Sequence, residues 1–214
     1  MDYKTGRVAG VNGNLVKVIF DETVIKNEVG YILVGDEKLK GEVIRITGGV
    51  ADLQIYEDTS GIKVGDSVKF TGELLSVELG PGLLTQVFDG LQNPLPSLAE
   101  KCGFFLQRGV YLDPIPNKEW EFTPSVKAGD AVVAGDTIGT VQELLFQHKI
   151  MVPFTLPGEW KVDSIVEKGV YHAKDTVAVI SNDKGEKKEL SMIITQPVKV
   201  PIKCYDERVR PDEP

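Results

Sequence analysis

The sequence predicts a mainly β protein, built as a small closed barrel and a flattened β-sandwich, with a short mixed segment at a sharp backbone corner. Three observations carry this. Residues 1–72 break into short alternating apolar runs divided by glycine-containing turns, with almost no helical period. Residues 113–190 hold two similar half-units around a central turn. Between these regions Gly80-Pro81-Gly82 stops an apolar run abruptly, since glycine accepts positive φ cheaply and proline fixes its own φ.

In the first region, Arg7–Val11 and Leu15–Phe20 flank Asn12-Gly13-Asn14, a hairpin signal. Further runs at Tyr31–Val34, Glu42–Ile46 and Ala51–Tyr56 are divided by Gly35-Asp36, Gly48-Gly49 and Thr59-Ser60-Gly61. Short strands at this spacing read as a barrel or sandwich over residues 1–72.

Residues 73–112 form a second segment. Leu74, Leu75, Val77 and Leu79 fall at near-strand spacing up to the corner. Beyond it Leu83, Leu84, Val87, Phe88 and Leu91 recur at roughly helical spacing until Asp89-Gly90 and Pro94 break the pattern, which predicts one or two helical turns. So short a helix is marginal alone, so the stretch reads as a docking element. Its structural motif is Glu78, Gly80, Pro81, Gly82, Phe88, Asp89, Gly90 and Gln92.

In the third region, Trp120–Pro124 leads into Val126–Val141, which is echoed at Val166–Ile180 with one deletion. Either half alone would leave an apolar face wet, so the halves are expected to pair. Gly129, Asp130, Gly135, Asp136, Pro153 and Gly158 supply the turns of that core. Hydrophobic-Gly-Asp turns, then Glu143, then an apolar residue and Pro, outline a biotinyl or lipoyl carrier domain. A carrier holds its lysine on a hairpin tip a few residues past the Glu. Here that slot falls near Phe146, and Lys149 is the one plausible attachment point, without a Met-Lys-Met or Asp-Lys-Ala flank. Fold is not function, so the region reads as carrier-like in fold only, and a free-standing carrier or β-rich binding module stands as the alternative.

The 214 residues allow one large or two modest domains, since domains typically hold about 100 to 150 residues. A hydrophobic share of 42% and a charged share of 26% place the chain among globular proteins. The net charge of −8 argues against nucleic acid or an anionic membrane surface as partner, because phosphate binding needs clustered Lys and Arg. Cys102 and Cys204 match no metal or redox spacing, which fits a reducing compartment. No stretch approaches about 18 uninterrupted apolar residues, and Met1–Gly6 lacks a signal peptide's apolar core, so a cytoplasmic location without direct membrane contact is expected.

The run Ser76–Leu95, SVELGPGLLTQVFDGLQNPL, is similar to a stretch of the catalytic A subunit of V-type (vacuolar and archaeal-type) rotary ATPases and ATP synthases. The B subunit and the F-type subunits carry looser versions. Leu39–Ile46 with Gln54–Ile62 resembles that subunit's N-terminal β-barrel, and Gln147–Pro153 resembles the centre of its extra bulge, or non-homologous, domain. The resemblance implies a barrel at 1–72, a corner belonging to the nucleotide-binding domain at 73–112, the bulge at 113–190 and a return segment toward that domain at 191–214. Gln196-Pro-Val-Lys-Val-Pro201 departs mildly from the family's Trp-Pro-Val-Arg-x-Pro. The resemblance further implies a parent complex that couples ATP hydrolysis or synthesis to H⁺ or Na⁺ movement. This portion would serve hexamer assembly beside B subunits and other A subunits, with peripheral-stalk contacts through the bulge, in a cytoplasmic, membrane-associated assembly.

Nucleotide chemistry of that kind needs Gly-x4-Gly-Lys-Ser/Thr, so that backbone N–H groups and a lysine surround the phosphates and a hydroxyl holds Mg²⁺. The dipeptide Gly-Lys does not occur in this sequence. No nucleotide-binding or catalytic residue is therefore expected in this chain, and ATP and Mg²⁺ are cofactors of the complete parent subunit. His148 and His172 lack a second ligand at metal spacing and read as sheet positions. Ser60 and Ser76 lie in no nucleophile elbow, and Glu57-Asp58 and Asp206-Glu207 read as solvated pairs.

Overall fold

The computed structural model describes residues 4–103 and 105–204. They divide into two compact units, one holding residues up to Leu75 with Leu95–Leu112 and Pro197–Lys199, the other holding Ser76–Pro94, Asp113–Gln196 and residues from Val200.

The first unit is a closed antiparallel barrel of β1 (Lys4–Asn12), β2 (Leu15–Phe20), β3 (Glu28–Val34), β4 (Glu37–Thr47), β5 (Val50–Ile55) and β6 (Ser67–Leu74), in the order β1-β2-β5-β4-β3-β6. Alternation does the sorting: Val16 and Val18 of β2 are fully buried while Lys17 between them is exposed. Phe70, Ile32, Leu39 and Leu53 fill the centre. The interior is tight enough that a Cβ on Gly41 would lie 2.5 Å from Ile55 Cδ1. The first hairpin turns on Gly13-Asn14, with Gly13 at φ 60. Strand β6, whose run the sequence did not announce, closes the barrel by pairing with both β1 and β3.

The helix of the middle segment lies elsewhere than expected. Leu83–Leu91 makes turns, and the helix is α1 (Leu95–Cys102), with Leu98 as its buried residue. Apolar spacing misleads here because Thr85 and Gln92 both take φ 66, outside the helical region, and Phe88 instead bridges to Pro94. Pro96 explains where α1 begins, since proline is tolerated in the first helical turn, where its missing N–H is no loss. Beyond α1 the chain is strapped to the barrel. Arg108 pairs with Glu37 at 2.6 Å, Gly109 N–H donates to Glu57 Oε1 at 2.6 Å, and Tyr111 Oη donates to Glu57 Oε2 at 2.6 Å. Glu57 is thus an anchor rather than the solvated acid expected of it. Asp206 and Glu207 lie outside the described residues.

The second unit is a sandwich. Its first half contributes β8 (Glu119–Pro124), β9 (Ala131–Val132), β10 (Thr137–Glu143) and β11 (Phe146–Met151); the second contributes β12 (Trp160–Ile165), β13 (Gly169–His172), β14 (Ala178–Ser181) and β15 (Lys187–Leu190). One sheet runs β11-β10-β8-β13 and the other β15-β14-β12-β9. Each half therefore lends one strand to the other's sheet, and matching positions hold matching strands, which is the structural form of the sequence echo. Phe122, Ile138, Val152, Val162 and Ile180 lie between the sheets, with Trp120 and Trp160 at its margins. Preceding the sandwich, β7 (Ser76–Leu79) pairs with β16 (Ile194–Pro197).

Candidate functional site

The turns of the sandwich are cut from one pattern. In Lys127-Ala-Gly-Asp130 the Asp carboxylate accepts the Lys127 N–H at 2.8 Å while its own N–H returns to the Lys127 carbonyl at 3.1 Å. Val133-Ala-Gly-Asp136 repeats both bonds at 2.8 and 3.0 Å, with Gly129 and Gly135 at φ 100 and 88. The barrel has its own copy at Lys63-Val-Gly-Asp66, and His172-Ala-Lys-Asp175 is a version without the glycine. Asp closes the turn because an anionic acceptor satisfies an N–H that the loop would leave unpaired. Pro153 follows Val152, whose N–H is held by Asp136, and Gly158 at φ 78 precedes Trp160.

The corner is tightly constrained. A Cβ on Gly82 would lie 2.4 Å from Pro116 Cγ, and the residue sits at φ 101, so space and backbone both demand glycine. Gly80 is crowded by Met192 and Ile193, where a Cβ would come within 3.2 Å, and Pro81 beside it is buried. Gln92 acts as a substitute strand for Glu78, accepting its N–H at 2.8 Å and donating to its carbonyl at 2.6 Å. Asp89 gathers the loop by accepting from Leu91 N–H, Asn93 N–H and Asn93 Nδ2 at 2.9, 2.8 and 2.8 Å. Gly90 has an ordinary φ and open space around it, so nothing there requires glycine.

A residue noted in the sequence only as part of the carrier outline holds this corner. Glu143, 3% exposed, accepts the Gly82 N–H on Oε1 at 2.6 Å, and its Oε2 lies 2.7 Å from His148 Nδ1. The carboxylate dictates that Nδ1 carries the proton. Elsewhere Lys174, paired with Asp113, is held above its ordinary pKa first by that hydrogen bond. A groove of about 700 Å³ runs along Val133, Phe154, Leu156, Gln196, Val200 and Ile202. Among the described residues no group of His, Cys, Asp and Glu could hold a metal ion.

Residues 8–72 match the family model for the beta-barrel domain of the ATP synthase alpha/beta family, and residues 113–199 match the model for the alpha/beta subunit barrel-sandwich domain. The chain is 54% identical over 209 residues to a V-type ATP synthase alpha chain of Treponema denticola, covering 97% of this chain and 36% of that one. It is 51% identical over 215 residues to V-type ATP synthase alpha chain 1 of Treponema pallidum, and 51% over 210 residues to the alpha chain of Borreliella afzelii, each again at 36% of the relative's length. The chain belongs to the V-type ATP synthase alpha-chain family. It spans 36% of the length of these curated relatives and matches their N-terminal portion.

Seen within the alpha-chain family, the carrier alternative loses its attachment point. The β10–β11 tip is Leu144-Leu145, one residue before the slot counted at Phe146, and Lys149 sits within β11 opposite Thr140. Lys199, which stands where the family usually has Arg, spans both oxygens of buried Glu42 at 2.7 and 2.8 Å, and Tyr56 Oη donates to the same carboxylate at 2.8 Å. Burial and that carboxylate push the Tyr56 pKa above its ordinary value. Among the described residues no helix is long and apolar enough to cross a membrane.

Proposed function

We propose that this chain serves in the catalytic A subunit of a V-type rotary ATP synthase, in an assembly that couples ATP hydrolysis or synthesis to H⁺ or Na⁺ movement. The continuous similarity over 97% of the chain, spanning barrel, corner and sandwich together, carries this reading. In it the barrel packs beside the barrels of neighbouring A and B subunits, the sandwich meets peripheral-stalk subunits, and the corner seats against the nucleotide-binding region. The residues here supply architecture. ATP and Mg²⁺ are held by other parts of the subunit, because no Gly-Lys dipeptide is present to build a phosphate loop. The complex is cytoplasmic and peripheral to the membrane.

Calorimetric titration of the 214-residue chain with Mg-ATP tests the division of labour. No heat of binding up to millimolar nucleotide is expected, and micromolar affinity would overturn it. Co-purification of the chain with a family B subunit tests the assembly role; failure to associate at any salt concentration would count against it.

A further inference from the structure

The hairpin that carries Glu143 is itself under strain. Leu144, at its tip, takes φ 53, a left-handed conformation that side chains with a Cβ disfavour. The tip gains nothing in burial by doing so, since Leu144, Leu145 and Phe146 are 64%, 93% and 63% exposed. The two-residue turn between paired Glu143 and Phe146 calls for a positive φ, and polar contacts brace it. Gln142 Nε2 donates to the Leu144 carbonyl at 3.0 Å, and the Glu143–His148 pair closes the base of the tip at 2.7 Å. The same Glu143 side chain reaches across 61 residues of sequence to the Gly82 N–H.

We propose that residues 142–148 form a strained clip that seats the Gly80–Gly82 corner, so that the tip conformation and the grip on the corner are one equilibrium. Closing the clip turns Leu144 left-handed and aims the Glu143 carboxylate at Gly82. Opening it relaxes Leu144 and releases the Gly82 N–H. The two ends of the device differ in character: the tip is exposed and free to be touched by another molecule, whereas the corner is crowded at Gly80 and accepts no side chain at Gly82. A change at the tip is thereby relayed to the corner through a single buried carboxylate. Glycine or asparagine would meet the turn's demand with less strain, so the leucine at the tip is the feature that the relay uses.

Hydrogen exchange at the Gly82 amide of the full chain, measured by NMR, tests the relay. Leu144→Gly removes the strain, because glycine takes φ 53 freely. It should slow Gly82 exchange several-fold while leaving amides of β12 and β14 unchanged. Glu143→Leu keeps the buried volume but removes the acceptor, so Gly82 should exchange faster and Leu144→Gly should then have no effect on it. If the leucine variant fails to fold, His148→Ala removes the bond that closes the base of the clip and keeps the acceptor, so Gly82 should exchange faster and Leu144→Gly should still slow it. An unchanged Gly82 rate in Leu144→Gly, or an equal change with and without the Glu143 acceptor, would overturn the proposal.

Discussion

In the barrel every strand has two hydrogen-bonded neighbours, whereas β9, β11, β13 and β15 of the sandwich are edges. The barrel fixes its register through a closed ladder, and its interior then needs little more than alternating Val, Leu and Phe. The sandwich has no such closure. Its sheets are held by the side chains between them and by the exchange of β9 and β13, so its uniqueness depends on packing and on the Asp-closed turns. Its edges are blunted by shortness and charge: β9 has 2 residues, and β15 presents Lys187, Lys188 and Glu189.

The difference predicts that core damage stays local. Phe70→Ala in the barrel and Phe122→Ala in the sandwich each remove a fully buried ring, a change that costs about 3–5 kcal/mol. Both tryptophans, Trp120 and Trp160, belong to the sandwich, so their fluorescence reports on it selectively. In denaturant titrations Phe122→Ala should move the fluorescence midpoint sharply, and Phe70→Ala should leave it in place while shifting the circular-dichroism transition. Equal movement of the fluorescence signal by both would erase the distinction.

Next in size is Gly82→Ala, which combines positive φ with a Cβ driven into Pro116; a loss of roughly 2–3 kcal/mol is expected in the same fluorescence titration. A neutral result would show that the corner yields more readily than its geometry indicates. Lys199→Ala in the barrel unit leaves Glu42 buried without its cation. Because the lysine is 49% exposed, solvent screens part of the usual penalty, and a loss of about 1–2 kcal/mol is expected, with Glu42→Gln in the same background restoring part of it.

The smallest effect is alkaline. Burial, followed by the hydrogen bond to Glu57, holds the Tyr111 phenol above its ordinary pKa. The folded state thus favours the protonated phenol, so this contribution is full below pH about 10, the unfolded value, and declines as pH rises above it. Tyr56 behaves alike, through burial first and then Glu42. Spectrophotometric titration should show Tyr56 and Tyr111 resisting ionisation until the barrel unfolds. Tyr111→Phe should reduce that to one, and free ionisation of every tyrosine in the folded protein would refute the strap geometry.

What the sequence made legible was local. Turn glycines at 13, 35, 48, 129, 135 and 158 all take positive φ, and the strands they separate lie close to the expected runs. The half-unit echo foretold pairing, though not that each half lends a strand. Leu83–Leu91 misled because its helical spacing is real while Thr85 and Gln92 turn the backbone the other way, Gln92 reaching Glu78 across the loop. The Glu143–Gly82 bond had no local signal, as its partners are distant in sequence and acquire meaning only once the sandwich exists. That bond and buried Met192 also sharpen the outline of the folding unit: residues 113–190 alone would lack both.

The central claim is that the chain folds as two units that divide the stretch 73–112 between them, and peptide-resolved hydrogen exchange through increasing denaturant tests it most directly. Protection should fall in two blocks at separate denaturant concentrations, with 105–111 following the barrel and 76–94 following the sandwich. A single fall across all peptides, or 76–94 losing protection together with the barrel, would contradict it.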